Sequence, residues 1–435
     1  MNRTWLIVFG DFVSFFIAFL LLIFIRFSEG NYLNAIDTHT IPFIVLYLFW
    51  VLIFYIFGLY DLVTIKPTIP YLKRWIWALI SSFIVGLLLF YFVPIFGISP
   101  KINLIIQVIL FGFFSFLFRR IIYTLFANTI TAPVILVGLS TYLLELEKTI
   151  KANPQIGLQI INHFKNISEI TSNLENIKNL IIVLDKNTDE FDQNILNFYK
   201  QGVEIIDTAK AYEKYLFKIP VAYINMSFIV NNVNIRKDTP YLLLTFLINK
   251  IFAIIILILS SPFLLIAILA RLIEDGKPIF IKQKRVGLNG KIFNLYKLRS
   301  MIVLSPDGGA ETNGAKWSTG TNDPRITPVG KIIRRLHIDE IPQMINILRG
   351  DIGLVGPRPE RPEFVISLEN TIPHYKLRHI IRPGFTGWAQ IKYRYANTVE
   401  DSKEKFEYDL YYIKNRNIFL DFGIIIRTIQ IIFTH

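Results

Sequence analysis

The chain has 435 residues, of which 53% are hydrophobic and 14% are aromatic. This composition is too apolar for an ordinary soluble protein and indicates a membrane protein of two to three domains. The net charge is +13, and 26 basic residues stand against 17 acidic ones from Arg271 onward. Among such apolar residues, this excess favours a membrane surface and phosphate ligands over nucleic acid, which is not expected as a partner. The absence of cysteine excludes disulfides and thiolate metal sites.

Four hydrophobic segments open the chain, at residues 5–25, 41–60, 75–93 and 102–118. Each is long enough to cross a bilayer, and the first lacks a signal-peptide cleavage site, so we expect an uncleaved anchor. Lys66, Lys73 and Arg74 follow the second segment, and Arg119 and Arg120 follow the fourth. The positive-inside rule then places both ends of this bundle in the cytoplasm. We predict a four-helix transmembrane bundle over residues 1–126.

Asp11 lies inside the first hydrophobic segment. A carboxylate in contact with lipid is costly, so we expect Asp11 to face the interior of the bundle. A structural role in helix pairing is favoured over catalysis, because the chemically informative motifs lie elsewhere in the chain.

Residues 130–235 change character and predict a small cytoplasmic Rossmann-like α/β domain. The apolar runs at 133–138, 179–185 and 203–206 read as buried parallel strands, with helical stretches near 142–152 and 190–201. The first turn, Gly138-Leu139-Ser140-Thr141, lacks the glycine fingerprint of dinucleotide-binding proteins. We therefore expect a degenerate domain with a scaffolding, dimerisation or regulatory role.

Residues 251–270 are nearly all apolar, and hydropathy alone predicts a fifth membrane-crossing helix. Ser260, Ser261 and Pro262 lie in the middle of this segment. Pro262 removes one backbone hydrogen bond, and a serine hydroxyl can donate to the carbonyl that is left without a partner. We therefore predict a re-entrant helix–break–helix over residues 245–272, broken at Ser261 and Pro262, with both ends in the cytoplasm.

The segment from Arg334 to Val365 carries the strongest chemical signal: RRLHIDEIPQMINILRGDIGLVGPRPERPEFV. Pro342 suits the first turn of a helix, and Gly350 is a plausible end, which places Asp339 and Glu340 just before that helix. Five arginines surround the acidic pair in sequence, at positions 334, 335, 349, 358 and 361. Ordinary capping acids, a salt-bridge network, or an anion site that contains a nucleophile all remain compatible with this pattern.

This segment, together with KRVGLNGKIFNLYKLRSM at 284–301 and RPGFTGWAQIKYR at 382–394, closely resembles the bacterial sugar transferase family. These are the polyprenyl-phosphate glycosylphosphotransferases, or monotopic phosphoglycosyl transferases. The resemblance covers residues 245–435, and the four-helix start is similar to the large polytopic subgroup. It implies a C-terminal α/β catalytic domain on the cytoplasmic face of the inner membrane.

The resemblance also implies the chemistry. Asp339 would be the nucleophile that forms an aspartyl-phosphosugar, and Glu340 would help to hold Mg²⁺, with both carboxylates as metal ligands. Arg334 would contact the transferred phosphate, and the Pro357-Arg358-Pro359 turn would present a guanidinium to the nucleotide. His337, two positions before Asp339, departs from the small residue that is common in the family.

The remaining substrate-binding candidates are basic residues that suit phosphate-rich ligands: Lys282, Arg285, Lys297, Arg299 and Arg325. The loop at 305–320 contains Trp317, which could meet a base or the membrane interface. RPGFTGW would either line the substrate pocket or seat the domain at the membrane through Trp388. Residues 419–433 are too short and too charged to span, so we expect an in-plane amphipathic helix.

The resemblance implies transfer of a sugar-1-phosphate from a UDP-sugar to undecaprenyl phosphate with release of UMP, the first membrane step of exopolysaccharide, O-antigen or capsule repeat-unit assembly. A direct ternary-complex attack and a catalytically inactive membrane scaffold of a polysaccharide-assembly complex are the alternatives. A homodimer is expected from the resemblance. The sequence does not identify the sugar or the polymer, because only a few pocket contacts distinguish one sugar from another.

Overall fold

The structure of the protein is a computed structural model. It describes residues 4–27, 32–60, 69–92, 101–128, 132–153, 156–170, 179–185, 193–225, 228–230, 239–304, 323–393 and 398–433. The predicted loop at 305–320 with Trp317, and Lys66, lie outside the described residues. The chain divides into two compact units, Met1–Ala211 and Tyr212–His435.

Four long helices begin the first unit: α1 (Thr4–Phe27), α2 (Tyr32–Ile56), α3 (Ile69–Phe92) and α4 (Lys101–Asn128). All four are long and apolar enough to cross a membrane, as the sequence predicts. Phe15, Trp50 and Phe111 form an aromatic cluster in the core, with ring centroids 5.2–5.7 Å apart. Aromatic packing of this kind fixes how the helices face one another.

Asp11 is completely buried in this helical core and forms an ion pair with Arg119 of α4. Ser115 Oγ donates a second hydrogen bond, 2.8 Å long, to Asp11 Oδ1. The prediction that Asp11 faces the interior of the bundle is confirmed. An ion pair with added hydrogen bonds is the arrangement that makes a charge tolerable away from water.

The rest of the first unit is an α/β fold around a four-stranded sheet. Its strands are β1 (Ala132–Val137), β2 (Leu158–Phe164), β3 (Ile181–Leu184) and β4 (Glu204–Asp207), all parallel and in the order β2-β1-β3-β4. The helices are α5 (Thr141–Ala152), α6 (Gln193–Lys200) and α7 (Thr208–Leu216), which continues into the second unit. The three predicted strands are present. β2 was missed, because its alternation of exposed and half-buried residues is irregular.

The turn after β1 shows why the missing glycine fingerprint matters. Gly138 has φ +130°, and the backbone N–H of Ser140, at the start of α5, donates a 3.0 Å hydrogen bond to Asp185 Oδ2. A carboxylate of the protein thus occupies an amide that a phosphate would use in a dinucleotide-binding turn. The arrangement gives no support to cofactor binding here.

The second unit contains α8 (Thr239–Asp275), a helix of 37 residues. Its two halves both pack on the same unit. Ala253 contacts the core that contains Met344 and Ile347, while Ala267 contacts the core that contains Leu298 and Ile333. The opposite face of α8 leaves large apolar side chains exposed, with Leu259 at 69% and Phe263 at 61%. This unpartnered face has the character of a lipid-contacting surface.

The helix α8 runs without interruption through Ser261 and Pro262, in contrast to the expected helix–break–helix. The reason is local. Pro262 has no N–H to donate to the carbonyl of Ile258, and Ser261 Oγ donates to that carbonyl instead, at 2.7 Å. The predicted hydroxyl substitution is therefore present, whereas the break is not. Re-entrant passage through a bilayer stays a prediction.

The remaining elements form the predicted catalytic segment. The strands β5 (Phe280–Val286) and β6 (Ile292–Leu298) form an antiparallel hairpin, and β7 (Gly353–Val355) pairs in parallel with β8 (Gly384–Thr386). The helices are α9 (Pro328–Arg335), α10 (Gln343–Arg349), α11 (Pro362–Thr371), α12 (Trp388–Lys392), α13 (Val399–Asn415) and α14 (Ile418–Phe433). α14 has 16 residues, too few to span, with Ile424 buried and Phe419 exposed.

Trp388 lies in the interior of this unit. Its indole N–H donates to the carbonyl of Phe217 at 2.9 Å, and its ring stacks on Tyr411 with centroids 5.6 Å apart. Neither expected role of Trp388, in a substrate pocket or at the membrane interface, fits these contacts. Trp388 is a core residue that joins α12 to α13.

Candidate active site

Asp339 and Glu340 lie in a sharp turn between two helices. α9 ends at Arg335, His337 adopts a left-handed conformation with φ +54°, and a 3₁₀ turn spans Ile338–Glu340. Pro342 then precedes α10, which Gly350 closes with φ +88°. The helix boundaries at Pro342 and Gly350 agree with the sequence prediction. The acidic pair is thus presented by a loop whose two ends are fixed by helices.

The two carboxylates have different surroundings. Glu340 Oε1 accepts a 3.2 Å hydrogen bond from Arg358 Nη2 and lies 3.5 Å from Lys297 Nζ. The Asp339 carboxylate makes no hydrogen bond or ion pair with any residue that the structure describes. Glu340 is therefore a fixed charge, whereas Asp339 is available to an incoming group.

The electrostatic surroundings shift the pKa values of Asp339 and Glu340 in opposite directions. Burial raises the pKa of Asp339, and the adjacent Glu340 charge adds to this effect against the opposing pull of Lys297. For Glu340, burial acts in the same direction, but Lys297 and Arg358 outweigh it and lower the pKa to about 2. Glu340 in turn raises the pKa of Arg358. Two neighbouring carboxylates whose pKa values are shifted in opposite directions are a feature of sites in which the two groups have different chemical roles.

Lys297 is held in place through Asn346, a completely buried residue of α10. The Asn346 side-chain oxygen accepts from the backbone N–H of Tyr296 at 3.0 Å, and its amide nitrogen donates to the carbonyl of Asn294 at 2.8 Å. These two bonds join α10 to the edge of β6, so the strand that carries Lys297 is fixed against the loop that carries Glu340. Sequence analysis missed Asn346, although a lone amide between the apolar residues of MINIL was a usable signal.

The Pro357-Arg358-Pro359 turn lies against the segment that follows Arg382. The backbone N–H of Gly384 donates to the carbonyl of Pro357 at 2.9 Å. A Cβ on Gly384 would come within 2.1 Å of the backbone nitrogen of Gly356, so glycine is required for this approach. The RPGFTGW motif therefore supports the arginine turn.

The predicted site residues divide into two groups. Lys297 and Arg358 meet at Glu340, Pro357 and Pro359 flank Arg358, and Arg285 Nη1 donates to the carbonyl of Pro359 at 3.2 Å. Burial lowers the pKa of Arg285 to about 10. Arg334 lies in the last turn of α9, and its positive charge lowers the pKa of Asp339 against the larger effect of burial. The members of this first group therefore lie around the acidic pair or contact the Pro357-Arg358-Pro359 turn.

The second group has partners elsewhere. Arg299 is buried, and its Nη2 donates to Asp275 Oδ1 and to the carbonyl of Gly276, each at 2.6 Å. Arg325 pairs with Asp323 at 2.6 Å, and Lys282 is exposed, 6.0 Å from the centre of the Tyr296 ring. No contact of these three side chains with Asp339 or Glu340 is present among the described residues. Their role in substrate binding stays a prediction.

The donor set bears on the expected Mg²⁺. Within the described ranges, no three His, Cys, Asp or Glu side chains cluster in a way that could hold a metal ion. Mg²⁺ is commonly bound through one or two carboxylates, with phosphate oxygens and water completing the shell. Asp339 and Glu340 fit that mode of coordination when a phosphate-bearing substrate and water supply the remaining ligands.

A cavity of about 880 Å³ lies between the first half of α8 and α14. Apolar side chains form most of its wall, and the polar residues there include Tyr241, Arg382, Arg416 and Asp421. None of the predicted site residues lines it. The cavity is therefore separate from the acidic pair.

Residues 241–435 match the family model described as bacterial sugar transferase. The UDP-N-acetylgalactosamine-undecaprenyl-phosphate N-acetylgalactosaminephosphotransferase of Aeromonas hydrophila is 43% identical over 182 residues, which cover 42% of this chain and 42% of that protein. The UDP-glucose:undecaprenyl-phosphate glucose-1-phosphate transferase of Xanthomonas campestris pv. campestris is 37% identical over 197 residues, 45% of this chain and 40% of that protein.

A third relative, the uncharacterized sugar transferase EpsL of Bacillus subtilis (strain 168), is 39% identical over 182 residues, 41% of this chain and 81% of that protein. The matched part of the chain spans well under half the length of the Aeromonas and Xanthomonas relatives but most of EpsL. The motifs around Asp339, the family model and the coverage of EpsL agree, and the chain belongs to the bacterial sugar transferase family.

Proposed function

We propose that this protein transfers a sugar-1-phosphate from a UDP-sugar to undecaprenyl phosphate and releases UMP. The observation that carries the proposal is the contrast between a Glu340 fixed by two cations and a half-buried Asp339 beside it, which has no hydrogen-bonding partner among the described residues. The names of the Aeromonas and Xanthomonas relatives include both a UDP-sugar and undecaprenyl phosphate.

The reaction consists of two displacements at one phosphorus atom. An Asp339 carboxylate oxygen attacks the phosphorus that bears the sugar, the bond from that phosphorus to the UMP oxygen breaks, and UMP leaves. An oxygen of the lipid phosphate then attacks the same phosphorus, and the bond to Asp339 breaks, which restores the carboxylate. A carboxylate nucleophile avoids direct collision of two anionic reactants, and a carboxylate is also a good leaving group.

The chain's own residues supply charge and position in this scheme. Arg358 and Lys297 hold Glu340 and offset negative charge near the transferred phosphate, and Arg334 faces Asp339 with a further positive charge. Mg²⁺, bound by Asp339 and Glu340 together with phosphate oxygens, would neutralise charge during the displacement. Arg358 is exposed enough, at 40% of its side chain, to reach a nucleotide as well as Glu340.

The packing of α8 supports a membrane placement for this chemistry. Both halves of the helix contact the same catalytic unit, and a helix that crossed the bilayer would carry its two ends to opposite sides. We therefore infer a re-entrant or in-plane α8, with the catalytic unit on the cytoplasmic face of the inner membrane, where nucleotide sugars are found. Epitope tags near Thr239 and after Asp275 should then both be inaccessible from the periplasm.

The test is UMP release from a panel of UDP-sugars with undecaprenyl phosphate and Mg²⁺. We expect release by the wild type, loss of at least 1,000-fold in Asp339→Asn, and near-normal rates in Glu369→Gln, an acid of α11 that pairs with Lys376. Sugar-labelled donor without lipid should label the wild-type protein and leave Asp339→Asn unlabelled. Equal UMP release by both proteins would favour direct attack, and no release with any donor would favour the scaffold reading.

A further inference from the structure

The main chain of the arginine turn is held at every residue from Pro357 to Glu360. The four carbonyls accept, in order, from Gly384 N at 2.9 Å, Arg378 Nη2 at 3.1 Å, Arg285 Nη1 at 3.2 Å and Val286 N at 2.9 Å. Two of these donors belong to strand backbones and two are arginine side chains. A turn with one outside donor for each carbonyl has little freedom to move.

Arg378 is the donor that acts on Arg358 itself. Its side chain is 6% exposed, and the same Nη2 that reaches the Arg358 carbonyl also donates to Asp409 Oδ2 at 3.0 Å. A second guanidinium nitrogen, Nη1, donates to the hydroxyl of Tyr375. Asp409 is buried in α13, far from the turn in sequence. A buried guanidinium needs such a counter-charge, so Asp409 determines how Arg378 is oriented.

The two prolines connect this carbonyl to the Arg358 side chain. Pro359 restricts the residue before it to extended backbone conformations, and Pro357 fixes its own φ. With both neighbours restricted, the Arg358 backbone has little freedom once its carbonyl is bound. Holding the carbonyl therefore fixes the point from which the Arg358 side chain reaches Glu340, with Nη2 3.2 Å from the carboxylate.

We propose that Arg378 and Asp409 are positioning residues that act through the Arg358 carbonyl to hold the Arg358 guanidinium at the catalytic carboxylates. The inference rests on the proposed function, because it assigns Arg358 a role in phosphate transfer. The alternative is that the buried pair only joins α13 to the turn around Tyr375, in which case its loss would lower stability without a selective effect on the site.

Glu407 provides a matched control. It lies two residues before Asp409 on α13, is equally buried, and its Oε2 is 3.8 Å from Lys218 Nζ. Its other oxygen accepts from the backbone N–H of Val221 at 3.0 Å, a bond that glutamine can keep. Glu407→Gln thus removes a buried charge from the same helix without touching the arginine turn.

The experiment measures UMP release by six forms of the full-length protein, namely the wild type, four single variants and one double variant, each at a temperature at which circular dichroism shows the protein folded. We expect Asp409→Asn to lower kcat/KM for the UDP-sugar by 10- to 100-fold, and Glu407→Gln by less than threefold. Arg378→Lys should resemble Asp409→Asn, because one ammonium group cannot serve both the carbonyl and the carboxylate in the same geometry.

The decisive comparison is the double variant. In an Arg358→Lys background, adding Asp409→Asn should change kcat/KM by less than twofold, since the positioned group is already altered. Equal losses in both backgrounds, or no loss from Asp409→Asn in the wild type, would overturn the inference. Failure of the proposed function gives a different result, namely no UMP release by the wild type itself.

Discussion

Lys297 Nζ lies 3.5 Å from Glu340 Oε1, and this contact connects the β5–β6 hairpin to the loop that bears Asp339. The two residues are 43 positions apart, and Asn346 fixes β6, the strand that carries Lys297. Burial lowers the pKa of Lys297, while Glu340 favours its charged form. A lysine in such a position contributes a fixed positive charge close to where negative charge develops during phosphate transfer.

Replacing this lysine tests its contribution. Lys297→Met should lower kcat/KM for UMP release by 10- to 100-fold, because Glu340 would keep only Arg358 as a cation and the site would lose one positive charge. Lys291→Met, an exposed change in the turn of the same hairpin, should stay within about threefold of the wild type. Similar rates for Lys297→Met and Lys291→Met would show that Lys297 does not contribute to the reaction.

The catalytic segment shows what could be predicted from sequence. The turn at Pro342, the stop at Gly350 and the proximity of Arg358 to the acids follow from short-range proline and glycine signals combined with the family resemblance. Arg299 shows the limit. It is two residues from Lys297 in the same basic run, yet it is buried on Asp275 at the end of α8. Arg299 lies one residue beyond the end of β6, so strand alternation does not place it, and composition cannot reveal which basic residue meets which acid.

Contacts between residues that are distant in the sequence could not be predicted either. Trp388 meets the carbonyl of Phe217, and Asp409 meets Arg378, through contacts that join segments distant in the chain. In α8 the local reasoning about Ser261 was right, but it did not predict that one hydroxyl is enough to keep the helix continuous. Local chemistry was predictable because it depends on neighbouring residues, whereas tertiary pairing depends on the packing of the whole unit.

We expect His379 to make the stability of the protein depend on pH. Burial lowers its pKa to about 4, with Arg378 adding to the effect, and its Nε2 has no hydrogen-bond partner in the described part of the chain. The folded pKa lies below the usual value near 6.5, so this contribution to stability is present above pH 6.5 and is lost as the pH falls towards 4. Between pH 7 and pH 5 the loss should be on the order of 1 kcal/mol.

Thermal or chemical unfolding in detergent at the two pH values would measure this effect. His379→Gln should flatten the pH dependence over that range, because glutamine does not titrate. His374→Asn is the control, since His374 is exposed and its φ of +61° suits asparagine. An unchanged pH dependence in His379→Gln would assign the effect to other groups.

The hydroxyl of Ser261 should matter only because Pro262 follows it. Ser261→Ala leaves the carbonyl of Ile258 without the 2.7 Å hydrogen bond and should lower the free energy of unfolding by about 1 kcal/mol. Adding Pro262→Ala restores a backbone N–H at position 262, which can donate to the same carbonyl, so the double variant should recover most of the loss. Absence of this rescue in unfolding measurements would mean that Pro262 stabilises α8 by another route.

Breaking the Asp11–Arg119 pair should destabilise the bundle much more than replacing both residues with apolar ones. Asp11→Leu leaves the buried Arg119 guanidinium without its carboxylate partner and should lower the stability of the bundle by about 3–5 kcal/mol. The double variant Asp11→Leu with Arg119→Met removes both charges and should cost much less, because apolar side chains pack well in the same space. Unfolding of full-length protein in detergent would give both values. Equal destabilisation by the single and double variants would indicate that the two charges stabilise the bundle through other partners, such as Ser115 and the backbone of Leu59.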